Sequence, residues 1–181
     1  MTPLRQTSPE LDALVRLFYS HVNELGTFQE VAADNLDPIH RKLLDHEHHM
    51  TVTVEAHHGC PVELETLQVH NTATHYARKI RLLRRTDHQV VQFGIVRLSL
   101  DFLEADVRAQ IESQQTPLGR ILIEHNVLRD VRLLSHWSIL PGKDLQGMFD
   151  ITDSQPCFGR TAFIYCNGVP AVELLEIVSP E

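Results

Sequence analysis

The chain has 181 residues, 43% of them hydrophobic, enough to bury one sizeable core, and this predicts a single domain over residues 1–181. Its formal charge of -8 argues against nucleic acid as a partner, because such binding shows as a cationic stripe and the sole basic cluster, Arg78 to Arg85, alternates too irregularly to form one. No stretch approaches the roughly 20 apolar residues of a membrane span, and Met1 to Gln6 lacks the charged region and apolar core of a signal peptide, so no membrane partner is expected and the expected location is cytoplasmic.

Leu11, Leu14, Val15, Phe18, Val22 and Leu25 recur mostly at three- and four-residue steps, predicting an amphipathic helix from Pro9 to Leu25, with Ser8 as N-cap and Gly26 as its end. A shorter helix is expected over Asp37 to Asp45, with Pro38 in its first turn and Ile39, Leu43 and Leu44 turned inward. The period then changes. Met50 to Glu55 alternates and is rich in β-branched residues, and Val62 to Val69, Tyr76 to Leu83 and Val90 to Leu98 follow as further strand candidates, separated by polar or Gly/Pro-bearing turns.

Leu103 to Glu112 and Leu118 to His125 read as helices, the second entered through Thr116 and Pro117 as N-cap and first-turn residues. Val131 to Ile139, Thr161 to Cys166 and Val169 to Val178 complete the strands, and Asn167-Gly168 signals a tight hairpin between the last two. Clustered strands flanked by helices, without regular βαβ alternation, predict an α+β fold with an antiparallel sheet of about six strands.

Several chemistries lack their signatures. Cys60, Cys157 and Cys166 match neither a disulfide framework nor a paired zinc motif and read as free thiols. His46, Glu47, His48 and His49, with His57 and His58 nearby, form the obvious candidate metal site, but their spacing matches no zinc pattern and they read as solvated, so no metal is expected. His70, His75, His125 and His136 are scattered and read as structural or surface groups. There is no Gly-x-Ser-x-Gly elbow, no local motif that would activate Cys157 or Cys166, and no phosphate-binding glycine loop.

The most telling pattern lies in the last third. Thr116-Pro117-Leu118-Gly119-Arg120 opens a helix, Phe158-Gly159-Arg160 starts a strand, Asn167-Gly168-Val169-Pro170 marks a turn, and Glu176 stands six residues beyond, shortly before Pro180. In order and spacing these segments resemble the chorismate lyase (chorismate pyruvate-lyase) family, whose fold is shared with the UTRA-type effector domains of bacterial transcription regulators. The resemblance is best from Thr116 to Pro180 and extends more weakly through Tyr76-Ala77-Arg78-Lys79-Ile80 to Met50-Thr51. Taken singly, none of the motifs is specific. The resemblance implies conversion of chorismate to 4-hydroxybenzoate and pyruvate, with no metal or organic cofactor and a small aromatic acid as substrate. It also implies that Arg78 holds the ring carboxylate, that Glu176 lies near the product hydroxyl, and that main-chain amides of Leu118 and Met50 supply further contacts.

Elementary chemistry fits those roles. Chorismate is a dianion, which an acidic protein holds only by concentrating positive charge locally, and a guanidinium binds carboxylate through paired donors. The plain alternative for Arg78 is a sheet residue with its stem on apolar surface and its head in water. Strict alternation sets Glu173 and Glu176 on opposite faces of the last strand, so one of them points inward, where a carboxylate needs a partner; the alternative for Glu176 is a solvated strand residue. For Met50 and Leu118 the alternative is plain core packing. Arg120 and Arg160 either serve a second carboxylate or form structural salt bridges. From a different class, the rival to an enzyme is a non-catalytic UTRA-like domain that binds a small aromatic or anionic ligand without turning it over; the absence of a helix-turn-helix segment ahead of the domain argues against a complete regulator. A lyase relative acting on a different enolpyruvyl or aromatic acid is the third reading.

Overall fold

The computed structural model describes residues 9–125 and 129–180. Its centre is a seven-stranded antiparallel sheet of β1 (Gly26–Val31), β2 (Val62–Asn71), β3 (His75–Arg84), β4 (Val90–Ser99), β5 (Arg129–Pro141), β6 (Cys157–Cys166) and β7 (Val169–Val178), in the spatial order β1-β5-β6-β7-β4-β3-β2. Around it lie α1 (Pro9–Val15), α2 (Val22–Leu25), α3 (Pro38–Leu44), α4 (Met50–His58), α5 (Ala105–Glu112), α6 (Leu118–Glu124) and α7 (Lys143–Phe149). The α+β class and the antiparallel sheet are as the sequence predicts.

Both faces of the central strands are covered, which is why β4 and β7 read as almost unbroken apolar runs. On one face α5 and α6 set Ile111, Ile121 and Leu122 against Val96, Ala162, Ile164, Val172 and Leu174. At the other end of the same face α3 and α4 bring Leu43, Leu44, Met50 and Val54 over Ile80, Leu82 and Val178. The opposite face packs Phe93, Ile95, Trp137, Leu175 and Ile177 beneath Leu11, Leu14 and Val15 of α1 and Leu145 and Phe149 of α7. The gap between the two helical pairs on the first face becomes the pocket.

Four expectations need correction. The helix expected from Pro9 to Leu25 is two pieces: α1 ends at Val15, and a second short helix restarts at Val22 after His21, whose N–H donates to the Glu24 carboxylate at 2.9 Å. The break lets Leu17, Phe18, Tyr19 and Val22 all pack against the core, which one straight amphipathic stripe could not do. Within α3, capped by the Asp37 carboxylate at Ile39 N and His40 N, it is His40 at 4% exposure that turns inward while Ile39 stays 45% exposed. Met50 to Glu55, expected as a strand, is the start of α4: its buried residues are Met50, Thr51 and Val54, the i, i+1, i+4 spacing of a helix face, and Gly59 ends it in the left-handed conformation (φ 67°). At α6, Pro117 itself takes the N-cap position expected for Thr116.

The sheet also gains β1, whose polar sequence along an edge carries little alternation, and α7 was not anticipated. The Asn167-Gly168 turn is as expected: both residues have positive φ (53° and 80°), the tight hairpin geometry between β6 and β7.

Candidate functional site

The pocket is floored by the middle of the sheet and walled by the starts of α4 and α6. Alternation along β3 sends Arg78 and Ile80 to the face covered by α3 to α6, and along β7 it sends Leu174 and Glu176 there. Gly94 of β4 stands in register between Ile80 and Glu176, and its missing side chain keeps the floor low: a Cβ there would lie 3.3 Å from the Ile80 side chain.

Arg78 is 1% exposed. Its Nη1 donates to the Ile111 carbonyl at 3.4 Å and its Nη2 to the Thr116 carbonyl at 3.3 Å, so it bridges the end of α5 and the approach to α6. Its Nε has no hydrogen-bond partner, and among the described residues no carboxylate pairs with it. Burial lowers its pKa below the usual arginine value, with nearby Tyr76 acting in the opposite direction. A guanidinium remains charged even so.

Glu176 is inward, at 7% exposure, but not alone. Its Oε2 accepts from Arg160 Nε at 2.7 Å, and Arg160, fully buried, also donates from Nη1 to the His46 carbonyl at 2.7 Å and from Nη2 to the His48 carbonyl at 3.0 Å. Arg160 and Glu176 face each other directly across the β6–β7 ladder. The arginine thus ties the loop before α4 to the carboxylate, the structural of its two expected roles. Glu173 points to the opposite sheet face, where it pairs with Arg97. Arg120 leaves the pocket to pair with Glu55, joining α6 to α4.

Met50 and Leu118 are each the first residue of their helix, α4 and α6, and both line the pocket. Their amides belong to the first-turn N–H groups that a helix leaves without an internal partner. Gly119 lets the two starts approach, since a Cβ there would lie 3.0 Å from His49 Cβ and 3.3 Å from Thr51 Oγ1. All four residues singled out by the sequence, Arg78, Glu176, Leu118 and Met50, therefore border one cavity.

Gln92 was missed. It is 3% exposed, lines the pocket from β4, and its Oε1 has no hydrogen-bond partner. The signal was a lone amide inside the apolar run Val90 to Val96.

The histidine cluster does not gather. Among the described residues no group of His, Cys, Asp and Glu is arranged to hold a metal ion. His46 and His48 stack at 5.7 Å, and His46 is bound into the Arg160 network, its pKa pushed down to about 4 by burial and by the adjacent Arg160. None of the three cysteines is in a disulfide, and burial pushes the Cys157 thiol up to about 12. Among the described residues no helix is long and apolar enough to cross a membrane.

No family model matches the sequence, and no curated protein does. Solved structures do match. PhnF from Mycobacterium smegmatis is similar with a TM-score of 0.51 and 11% identity over 72% of this chain, which spans 63% of the PhnF chain. A ligand-binding domain assigned to the GntR regulator family, from Bordetella bronchiseptica, gives 0.48 and 13% over 66% of this chain and 86% of its own. A GntR-family regulator from Bacillus cereus gives 0.46 and 9% over 66% and 92%. At these identities the likeness is one of fold, the α+β arrangement of UTRA-like ligand-binding domains.

Proposed function

We propose that the pocket binds a small aromatic acid, with the ligand carboxylate on Arg78. The observation that carries this reading is the buried guanidinium itself: it has two long bonds to carbonyls, an idle Nε and no acidic partner among the described residues. A cation kept in that state is costly, and an anionic ligand entering beside two helix starts repays the cost with charge-assisted bonds. This is the ligand-binding role of a UTRA-like domain, and it needs no cofactor.

A second, stronger form of the reading is turnover of chorismate to 4-hydroxybenzoate and pyruvate. It is favoured by the meeting of Arg78, Met50, Leu118 and Glu176 around one cavity. The ring carboxylate would lie on Arg78 and the amides of Met50 and Leu118, and Glu176, fixed by Arg160, would accept from the C4 hydroxyl. The C4 proton is lost, its bonding pair forms the last ring double bond, the C3–O bond breaks, and enolpyruvate leaves to become pyruvate. Aromatisation drives the step, so alignment and electrostatic stabilisation of the leaving enolate supply the acceleration.

Calorimetric titration with 4-hydroxybenzoate tests the first form, and incubation with chorismate, following 4-hydroxybenzoate and pyruvate, tests the second. Arg78→Met is expected to weaken the aromatic acid by at least about 30-fold, the usual loss when one partner of a buried charge pair is removed. Binding without turnover leaves the ligand-sensing form standing. Absence of binding by the wild type, or equal binding by Arg78→Met, sinks both.

A further inference from the structure

We infer that the Thr51 hydroxyl is a further donor to the ligand carboxylate. The inference rests on the aromatic-acid reading of the pocket and deepens it.

Thr51 is the second residue of α4, next to Met50, and it borders the cavity at 7% exposure. A hydroxyl that deep calls for a partner, and within a helix a threonine finds one in the carbonyl three or four residues back. Thr53 does this, donating from Oγ1 to the His49 carbonyl at 3.4 Å. The corresponding carbonyl for Thr51, that of His48, is already taken by Arg160 Nη2 at 3.0 Å. Among the described residues the Thr51 hydroxyl has no hydrogen-bond partner. Gln92 also borders the cavity, but its idle oxygen is enclosed by protein; Thr51 Oγ1 is not enclosed in that way.

The hydroxyl stands where the proposed anchors converge. A Cβ on Gly119 would lie 3.3 Å from Thr51 Oγ1, so the hydroxyl looks across the gap between the starts of α4 and α6, beside Met50 and Leu118. Arg78 reaches the same place from the sheet, since its Nη2 donates to the Thr116 carbonyl just ahead of α6. Guanidinium and main-chain amides can only donate, and a carboxylate brings two oxygens with about four lone-pair sites to be filled. A hydroxyl on that rim supplies one more charge-assisted bond. Valine would fill the same space, so packing alone does not call for the oxygen.

The test is calorimetric titration of the full chain, Thr51→Val and Thr51→Ser with benzoate and with 4-hydroxybenzoate, together with the thermal midpoint of each protein without ligand. Thr51→Val is expected to weaken both acids equally, by about tenfold or more, the loss of one hydrogen bond to a charged group. Its ligand-free midpoint is expected to be no lower, because the hydroxyl it lacks had no partner inside the protein. Thr51→Ser keeps the oxygen and is expected to bind within about threefold of the wild type. Wild-type affinity in Thr51→Val overturns the inference. So does equal weakness of the serine and valine variants, which assigns the effect to the methyl group, or weakening that comes with a lowered midpoint in Thr51→Val, which marks a structural hydroxyl. A loss confined to 4-hydroxybenzoate also overturns it, since the hydroxyl would then act at the other end of the ligand. If the wild type binds neither acid, the aromatic-acid reading itself falls and takes this one with it; if Arg78→Met weakens benzoate and Thr51→Val does not, only the assignment to Thr51 is lost.

Discussion

Two buried arginines face the same pocket in opposite electrostatic circumstances. Arg160 has its guanidinium occupied by Glu176 and two loop carbonyls, whereas Arg78 has two long bonds to carbonyls and the neighbouring Tyr76 phenol. The first is structural, and the second is the anchor we propose for a ligand carboxylate. A buried ion pair is hard to dismember from one side: removing one partner strands the other charge and costs about 3–5 kcal/mol. Arg160→Met is therefore expected to destabilise the protein by roughly that amount in urea unfolding, and adding Glu176→Leu to it should restore a large part, because the stranded charge is then gone. A single variant no worse than a surface substitution, or a double variant no better than the single, would refute the coupling. Arg78 and Glu176 were legible through the resemblance of the motifs around them, and alternation along the last strand added that one of Glu173 and Glu176 faces inward. The sequence could not assign Arg160, because the partner of that residue is chosen by the β6–β7 register and by loop carbonyls distant in sequence, which no local pattern encodes.

At the level of elements, the pocket exists because two short helices begin side by side above the sheet. Gly119 permits it: any Cβ there meets His49 and Thr51 at the limit of contact. Gly119→Val is expected to push the starts of α4 and α6 apart, costing about 1–3 kcal/mol of stability and weakening aromatic-acid binding while Arg78 stays intact. Urea unfolding and calorimetry check both halves, and a variant that keeps wild-type affinity would show that the separation of the helix starts does not matter. The strands of the sheet were legible wherever alternation or an apolar run was sustained, as in β3, β4 and β7. Met50 to Glu55 was misread because Thr and Val are β-branched in either setting, and what decides the matter is tertiary: this segment has Leu43, Val62 and Ile80 to pack against only as a helix. The edge strand β1 was illegible for the converse reason, since an edge with one wet side needs few apolar residues. Gln92 was overlooked because one polar residue within an apolar run reads as noise until its surroundings are known.

For the molecule as a whole, the three clusters of the core are not equivalent. Those of α1/α7 and α5/α6 pack directly on the sheet, whereas the α3–α4 layer is additionally pinned from beneath by Arg160 through the loop of His46 and His48. His46 is the titratable member of that pin. Its Nε2 donates to the Leu43 carbonyl at 2.7 Å, which leaves Nδ1 to accept from the His48 N–H at 3.1 Å and to face Arg160 Nη1 at 3.4 Å. A proton on Nδ1 would break those contacts and set a second positive charge against the guanidinium; together with burial, the largest cause, this holds the folded-state pKa near 4, below the ordinary 6.5. The unfolded chain therefore binds the proton more readily than the folded one between these values, and stability must fall as pH falls from about 6.5 to about 4, then level off below. The contribution is fully present above 6.5. Because His46 is only half-buried, its share is about 1–2 kcal/mol across that window rather than the full linkage value. Carboxylates titrate in the same range, so the informative quantity is the difference in unfolding free energy between the wild type and His46→Gln, which keeps a neutral hydrogen-bonding side chain. That difference should move in favour of the variant by about 1–2 kcal/mol on going from pH 7 to pH 4. If it is the same at both ends, the imidazole is not a titrating part of the pin, and the acid sensitivity of the α3–α4 layer must come from its carboxylates.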